Sequence, residues 1–554
     1  MPNFANRRHL RIALAATLAA LAPQLQADTL QLAELRDGAL RVRQLGVDGG
    51  EAPMPDAAAL RAPLGSVWKL FAHAWLLDTQ QNEPAYTCSG QHRDEVYCCE
   101  PGQKIERNDA LLRSCGLYFE PARLQIDANA WRSYWARQQA PAWLLELDQL
   151  RPDTKVRIDE LLALLARLPT RQAQQQLLAA AVLQQPAAVF DALGSQLRVK
   201  TWSWHRDDDS ADRIAGFAGW SADGSPLWAQ GEGTSRSVLT RFAPALARAL
   251  PVQLPAAGED CVQVRMFARY PIRRVEHADT AQPAAPGALR GRYRVHFQHG
   301  SQFEIRSEGE LLLDYADSGP RLIARLRGED YVARVLEREA ASEPAAAARA
   351  LAIVIRSYLQ QNASRAGECL SIDDSSARQR VLAQPPGEAA RAHAAFSAEL
   401  VLAGSAVRYH LDQAGADQLG WRQAQAAAAA GEGVSAILRE HFPRADLAPL
   451  QQAQARCEAL PDAQAWLQAQ LPRWRPRLQA EPGYQERSDF EVCRLLSGRP
   501  FVDRARKRIH VRGLRSQQDR LDLTHEYLHL GFEAHPHGED ESFIEDWTRR
   551  LLLE

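Results

Sequence analysis

The sequence predicts an α+β protein of several domains, and three observations support this fold class. The chain has 554 residues, several times the roughly 150 residues of a usual domain. Two stretches rich in Pro and Ala, 250–258 and 443–450, follow helical runs and are predicted boundaries. Strand patterns and helical patterns occur on both sides of the first boundary. We therefore expect a leader and three domains, with bounds at 1–27, 28–250, 259–448 and 449–554.

The composition is that of a globular protein whose main partner is not a nucleic acid. Hydrophobic residues make up 46% and charged residues 24% of the chain, which excludes disordered and collagen-like classes. There are 66 basic and 68 acidic residues, and the formal net charge is −2. Because nucleic-acid-binding proteins usually carry a basic excess, this balance argues against such a partner.

The N-terminus has the features of a secretory signal. Arg7, Arg8 and Arg11 precede an apolar run from Ile12 to Ala22, which is too short to span a membrane comfortably. Cleavage after residue 27 would leave no transmembrane helix. We therefore expect a periplasmic or secreted protein.

Eight cysteines follow the signal, and export makes disulfides their expected state. They fall as four, two and two across the three domains, so we expect pairing within each domain, with the connectivity of the first four left open. The cysteines are Cys88, Cys98, Cys99, Cys115, Cys261, Cys369, Cys457 and Cys493.

The first domain has strand patterns near both of its ends and a candidate nucleophile between them. The pair Asp223-Gly224 predicts a hairpin between its last two strands. Ser66 and Lys69 are three residues apart at the start of an apolar helix, so they share a face and the lysine can deprotonate the serine. The chain has only five lysines, so a lysine at this position indicates a chemical role.

Ser66-x-x-Lys69, Ser114-x-x and Lys200-Thr201 before a hairpin resemble the motifs of penicillin-binding transpeptidases and serine β-lactamases. The resemblance implies that Ser66 is the acyl-forming nucleophile, Lys69 its base and Ser114 a proton relay. It further implies that Lys200 and Thr201 clamp a substrate carboxylate.

The sequence departs from that family at two positions. Gly116 stands where the family has Asn, and Trp202 stands where it has Gly. The oxyanion hole that the resemblance implies would use the backbone N–H groups of Ser66 and Ser203. A domain that keeps the fold without serine reactivity is the alternative.

The second domain changes from strand patterns to helices part-way along. Tyr331, Val335, Glu339, Arg356 and Tyr358 match the pattern of the sporulation stage II protein D family of peptidoglycan lytic transglycosylases, which this region resembles. The resemblance implies that Glu339 is the general acid that protonates the glycosidic oxygen, a role that needs a raised pKa. The alternative is an ordinary acid on an amphipathic helix.

The sharpest signal is the segment HEYLHLGF in the third domain. His525 and His529 are four residues apart, so one helix face can present both to a Zn²⁺ ion, and Glu526 beside them can deprotonate a bound water. The acidic segment that follows resembles the one that completes the metal site of glutamate-zincin metallopeptidases. This resemblance implies that Glu541 is the third ligand and that Glu545 holds a ligating histidine.

A second candidate for the third ligand is His535, six residues after His529. That spacing is the metzincin one, but metzincins have a later methionine turn and no methionine follows Met266. If Glu541 is the ligand, a tight turn at 536–538 must bring two helices together. The stretch 507–511 is the expected edge strand for substrate.

If the three domains act as these resemblances imply, their common substrate would be peptidoglycan. Their combination and the HEYLHLGF segment look like an uncharacterised bacterial envelope family encoded beside macroglobulin-like proteins. This implies an exported zinc-dependent peptidase that acts on peptidoglycan or envelope proteins, joined to glycan-cleaving or glycan-binding and acyl-serine domains. The alternative is a catalytically inert envelope scaffold that binds cell wall or a macroglobulin-like partner.

Overall fold

A computed structural model describes residues 28–552 of the chain, apart from several short stretches. The leader and part of the first predicted boundary therefore lie outside the described residues. The stretches left out are 55–59, 93–94, 96–97, 206–212, 255–260, 317–318, 413, 416, 456, 496–499, 505 and 539. None of the described helices is both long and apolar enough to cross a membrane.

The first region is an antiparallel sheet with helices on both faces. Its elements are β1 (Thr29–Arg36), β2 (Ala39–Gly46), β3 (Glu51–Pro53), β4 (Arg61–Pro63), α1 (Trp68–Thr79), β5 (Tyr86–Thr87), β6 (Lys104–Ile105), α2 (Arg107–Leu112), α3 (Gly116–Phe119), α4 (Pro121–Leu124), α5 (Ala128–Arg137), α6 (Ala142–Leu145), β7 (Lys155–Arg157), α7 (Ile158–Arg167), α8 (Arg171–Leu178), α9 (Ala187–Leu193), β8 (Leu197–His205), β9 (Arg213–Ser221), β10 (Pro226–Glu232) and α10 (Ser235–Ala249). The sheet order is β3-β2-β1-β10-β9-β8. Phe217 and Ala218 of β9 contribute to opposite hydrophobic clusters, as the two-residue period of a strand requires.

The second region is built on a seven-stranded sheet in the order β12-β13-β14-β15-β11-β17-β16, in which β11 and β17 alone pair in parallel. Its elements are β11 (Cys261–Met266), β12 (Ile272–His277), β13 (Gly287–Phe297), β14 (Gln302–Ala316), β15 (Gly319–Arg327), α11 (Gly328–Glu339), α12 (Ala345–Asn362), β16 (Ser364–Ala366), β17 (Cys369–Asp373), α13 (Glu388–Phe396), β18 (Leu400–Ala403), α14 (Trp421–Ala429), α15 (Val434–His441) and β19 (Asp446–Pro449). The predicted boundary at 443–450 contains β19, which pairs with β18.

The third region is mostly helical, as predicted. Its elements are α16 (Leu450–Ala455), α17 (Pro461–Leu478), β20 (Glu491–Arg494), β21 (Phe501–Asp503), β22 (Arg508–Val511), α18 (Gln517–Gly531) and α19 (Glu541–Leu552). The three strands lie in the order β20-β22-β21. Leu523 and Tyr527 of α18 are fully buried in the hydrophobic cluster of this region, so packing holds the helix against the strands.

The first and second regions share one continuous hydrophobic cluster, whereas the third has its own. Phe190 of α9 packs against Phe396 of α13 with ring centroids 6.1 Å apart, and Arg198 pairs with Glu399 at 2.7 Å. The prediction that cysteines pair within regions is confirmed. The disulfides are Cys88–Cys99, Cys98–Cys115, Cys261–Cys369 and Cys457–Cys493.

Candidate metal centre and serine site

Helix α18 presents the two histidines of the HEYLHLGF segment on one face. The helix begins with a capping box, in which the Ser516 side chain accepts from the Asp519 N–H and the Asp519 carboxylate accepts from the Ser516 N–H. His525 and His529 lie one turn apart, and their Nε2 atoms are 3.2 Å apart. The sequence spacing thus becomes a pair of imidazoles that converge on one point.

Glu541, the first residue of α19, completes this group. Residues 532–538 form the turns that bring α19 back to α18, and Asp540 accepts from the Ser542 N–H at 3.0 Å at the helix start. Glu541 Oε2 lies 3.2 Å from His525 Nε2. The donor atoms of His525, His529 and Glu541 all lie within 4.8 Å of one another. The structure therefore brings the three predicted ligands together.

A backbone contact orients His529 for metal binding. Its Nδ1 lies 3.0 Å from the Gly538 carbonyl oxygen, which can only accept, so Nδ1 carries the proton. The Nε2 atom is then left as a lone-pair donor that faces the group, an arrangement typical of metal-ligating histidines.

Of the two other residues predicted beside a metal, His535 lies outside this group and Glu545 lines the cleft beside it. His535 stacks on Phe543 with ring centroids 4.6 Å apart and lies 3.5 Å from a carboxylate oxygen of Glu481. It is not among the described residues that converge with His525. Glu545 pairs with Arg549 at 3.1 Å, and the contact that holds the His529 ring is the Gly538 carbonyl.

The charges at this group are strongly coupled. The hydrogen bond with His525 lowers the pKa of Glu541 to about 2. Burial alone would lower the pKa of His525, but Glu541 and the neighbouring carboxylates raise it. Burial raises the pKa of Glu526 to about 7. The group thus combines an ionised ligand with a buried carboxyl that can both take and release a proton near neutral pH.

The group opens into a cleft of about 930 Å³ between the second and third regions. One wall carries His525, Glu526, Glu541 and residues of β21, and the other carries side chains of α12 and of the segment 406–409. The sequence predicts 507–511 as the edge strand for substrate, but β22 lies between β20 and β21. The strand that lines the cleft is therefore β21, at the edge of the sheet.

The end of α12 ties the two walls together. The Gln361 side chain donates to the Ser405 carbonyl at 3.0 Å and accepts from the Val407 N–H at 2.9 Å. Arg504 belongs to the opposite wall. Its backbone N–H donates to the Gln361 carbonyl, and its guanidinium donates to the side-chain oxygen of Asn362. The contacts within the second region are buried and of usual length, and the two from Arg504, at 3.4 and 3.3 Å, join this wall to the opposite one.

The predicted serine site is also assembled. Lys69 Nζ lies 3.1 Å from Ser66 Oγ, 3.1 Å from Ser114 Oγ and 2.7 Å from the Ser114 carbonyl oxygen. Lys200 is fully buried, and burial together with the nearby charge of Lys69 holds its pKa well below the ordinary value. Its Nζ donates to the carbonyl of Thr201 at 2.9 Å. The two lysines and two serines thus form one cluster.

The two departures from the β-lactamase pattern flank this cluster. Trp202 is buried, stacks on Trp228 with centroids 6.2 Å apart and lies directly against Gly65, which precedes the serine. A Cβ added at Gly116 would lie 3.5 Å from Lys69 Cε. The bulky side chain and the missing one therefore both alter the surroundings of the Ser66–Lys69 pair.

Glu339 at the end of α11 is held by an ion pair. The backbone N–H of Arg380 donates to one carboxylate oxygen of Glu339 at 2.7 Å, and the Arg380 guanidinium donates to the other at 2.6 Å. Burial alone would raise the pKa of Glu339, but the hydrogen bonds from Arg380 keep it below its ordinary value. A general acid must carry a proton, so Glu339 would act as one only after Arg380 moves away.

Comparison with known proteins places the chain among exported proteins. The model of the family "Predicted secreted protein (DUF2300)" matches residues 90–211 and 417–537. "Uncharacterized protein YfaQ" of Escherichia coli (strain K12) is 48% identical over 502 residues, which cover 90% of this chain and 91% of that protein. The chain belongs to this family. The prediction of a periplasmic or secreted protein is thereby confirmed.

Several solved structures resemble part of the chain at low similarity. A class D β-lactamase from Bacillus subtilis is 13% identical with a TM-score of 0.29, and covers 40% of this chain and 90% of that chain. The C-terminal domain of the BlaR penicillin-receptor from Bacillus licheniformis is 13% identical with a TM-score of 0.27. The match covers 40% of this chain and 89% of that domain. The case for the serine site rests on its own geometry.

Two residues of the cleft carry no signal in the sequence. Gln361 lies in the Ala-rich helix α12, and Arg408 lies in a segment without a motif. Both reach the wall that carries His525 and Glu541 only because the second region folds against the third. These two residues could have been predicted only by knowing which surfaces of the second and third regions pack together.

Proposed function

We propose that this protein is a zinc-dependent peptidase of the bacterial envelope whose reaction takes place in the third region. The observation that carries the proposal is the convergence of His525, His529 and Glu541 within 4.8 Å beside the buried Glu526. Two imidazoles and one carboxylate, with an open cleft on one side, are the ligand set of catalytic zinc sites in metallopeptidases.

The residues present fit a zinc ion. The Nε2 atoms of both histidines and Oε2 of Glu541 face one another, and the carbonyl of Gly538 fixes the tautomer of His529. A zinc ion bound there would lower the pKa of a bound water and polarise a peptide carbonyl.

Glu526 supplies the proton chemistry in this proposal. Its carboxylate accepts a proton from the attacking water as the new C–O bond forms. The carboxyl then donates that proton to the departing amide nitrogen as the C–N bond breaks. Glu526 is buried and directly follows His525, so its carboxyl lies beside the group at the floor of the cleft.

The substrates we propose are peptidoglycan stem peptides or envelope proteins. Membership in a secreted family supports an extracytoplasmic substrate. The second region contributes the opposite wall of the cleft, so in this proposal it binds substrate rather than cleaving glycan while Arg380 holds Glu339.

Metal analysis and substrate digestion test this proposal. Purified protein should contain one zinc ion per chain, both as the wild type and as Glu526→Gln. Muropeptides or envelope proteins should be cleaved by the wild type alone. Zinc in both proteins without any Glu526-dependent cleavage would favour the inert scaffold that binds cell wall or a macroglobulin-like partner.

A second candidate activity is acyl transfer at Ser66. The observation that favours it is the contact of Lys69 Nζ with both Ser66 Oγ and Ser114 Oγ. In such a site Lys69 takes the serine proton while the serine oxygen attacks a carbonyl. Covalent labelling of Ser66 by a β-lactam tests this activity separately from the zinc site.

A further inference from the structure

Arg408 of the second region faces the predicted metal ligands across the cleft. Its guanidinium Nη2 lies 4.0 Å from Glu541 Oε1, while Oε2 of the same carboxylate faces His525. About half of the Arg408 side chain remains exposed, 49% by area. The guanidinium is therefore beside the group and still accessible from the cleft.

The position of Arg408 is set by the fold of the second region. The Arg408 N–H donates to the Asp417 carbonyl at 3.0 Å, and the preceding residue is held by the side chain of Gln361. Because the backbone is fixed on both counts, the ordering that accompanies ligand binding is confined to the Arg408 side chain.

The charge balance of the cleft favours an anionic substrate. Four arginines and four carboxylates line it, so a bound divalent cation would leave an excess of positive charge. Of these groups, Glu545 pairs with Arg549, and Glu541 would be engaged by the metal. The charged residues are Arg408, Arg504, Arg512, Arg549, Asp522, Glu526, Glu541 and Glu545.

We propose that Arg408 binds a carboxylate of the substrate, so that the enzyme prefers peptides with a free carboxylate close to the bond that is cut. This inference rests on the proposed peptidase function and names its substrate class. The guanidinium and a carboxylate form two parallel hydrogen bonds, which fix both the charge and the orientation of the peptide. The site is thus composite, with chemistry from the third region and recognition from the second.

Peptide binding to the Glu526→Gln protein tests this inference without turnover. The probes are a dansyl-labelled tetraalanine with a free C-terminal carboxylate, the same peptide as its amide, and the amide of dansyl-Ala-Glu-Ala-Ala. The Kd of each is measured by fluorescence anisotropy with and without zinc. The two acidic probes show whether Arg408 binds a C-terminal carboxylate or a side-chain carboxylate.

At least one acidic probe should bind about tenfold more tightly than the neutral amide in the zinc-loaded protein, as a charge-assisted hydrogen bond predicts. Arg408→Ala should abolish this preference, whereas Arg408→Lys should keep part of it. Arg422→Ala removes an exposed arginine of the same region, paired with Asp412, and should change nothing.

Three results would overturn the inference. They are equal binding of acidic and neutral probes, a preference that survives Arg408→Ala, and no binding of either acidic probe at millimolar concentration. Failure of the proposed function would be seen differently, as absence of zinc or of Glu526-dependent cleavage in the wild type.

Discussion

The second and third regions each contain a glutamate that the sequence predicts to transfer protons, but their surroundings differ. Glu339 is buried against Arg380, which keeps its pKa below the ordinary value. Glu526 is buried beside histidines and other carboxylates, and its pKa rises to about 7. The two pKa values thus shift in opposite directions, because burial dominates at Glu526 whereas hydrogen bonds from Arg380 outweigh burial at Glu339.

This comparison shows what a motif can and cannot specify. Each motif places a carboxyl group at the end or on the face of a helix. The protonation state depends on residues distant in the chain, since Arg380 is 41 positions from Glu339. In the proposed function the third region therefore supplies the proton-transfer group, and the second supplies the binding wall.

The largest expected effect is that of Glu526→Gln. Peptide cleavage should fall about 1,000-fold, the usual contribution of a general acid–base group, while zinc content stays at one ion per chain. Asp546→Asn, a change at an exposed acid on α19, serves as the control and should leave cleavage unchanged. Equal cleavage by Glu526→Gln and wild type would remove the distinction between the two glutamates.

The next effect concerns zinc affinity. Glu541→Ala should weaken zinc binding by about 100-fold or more, because one of three protein ligands is lost. His535→Ala should leave the affinity within about twofold of wild type, because His535 contacts Phe543 and Glu481 instead. Competition with a chelating dye measures both. The reverse ranking would make His535 the third ligand.

A smaller effect is expected for the ion pair in the second region. Arg380→Ala should lower the free energy of unfolding by about 2 kcal/mol at pH 7, because the buried Glu339 carboxylate loses its cationic partner and keeps only the backbone N–H of residue 380. The pKa of Glu339 is depressed in the folded state, so this stabilisation is present above the pKa of the unfolded state. It is lost as the pH falls through the folded pKa.

Denaturant unfolding at pH 7 and pH 3 checks this expectation. The difference between Arg380→Ala and wild type should shrink at the lower pH, which is closer to the depressed pKa of Glu339. Arg422→Ala removes an exposed arginine and provides the control. A difference that is the same at both pH values would show that Arg380 acts through packing alone.

The smallest effect is expected at the serine site. Wild-type protein should react weakly with a fluorescent penicillin, because Trp202 lies against the residue before Ser66. Gly116→Asn should increase the labelling, since a Cβ at this position lies in ordinary contact with Lys69, at 3.5 Å from its Cε, and places an amide beside the lysine. Ser66→Ala should abolish it. Label that persists in Ser66→Ala would place the reaction at another residue.

Much of the fold and of the site could be predicted from the sequence. Local periodicity predicts the helix pair around His525 and Glu541, and turn chemistry predicts the hairpin at Asp223-Gly224. The even number of cysteines in each region predicts how the disulfides are grouped. The spacing of four residues between His525 and His529 was enough to predict their convergence.

Other features depend on long-range contacts and could not be predicted. The stretch 507–511 reads as a substrate edge strand, but β20 and β21 cover both sides of β22. The boundary at 443–450 reads as a linker, but β19 finds a partner strand in β18. Arg380 and Arg408 are ordinary arginines in the sequence, and tertiary packing alone brings them to Glu339 and Glu541.

The most direct test of the zinc-peptidase account is anomalous diffraction at the zinc edge from crystals of the zinc-loaded protein. We expect one peak about 2.0–2.2 Å from His525 Nε2, His529 Nε2 and a Glu541 carboxylate oxygen. It should face the cleft that Arg408 lines. A peak coordinated by His535 in place of Glu541, or no peak at the two histidines, would contradict the account.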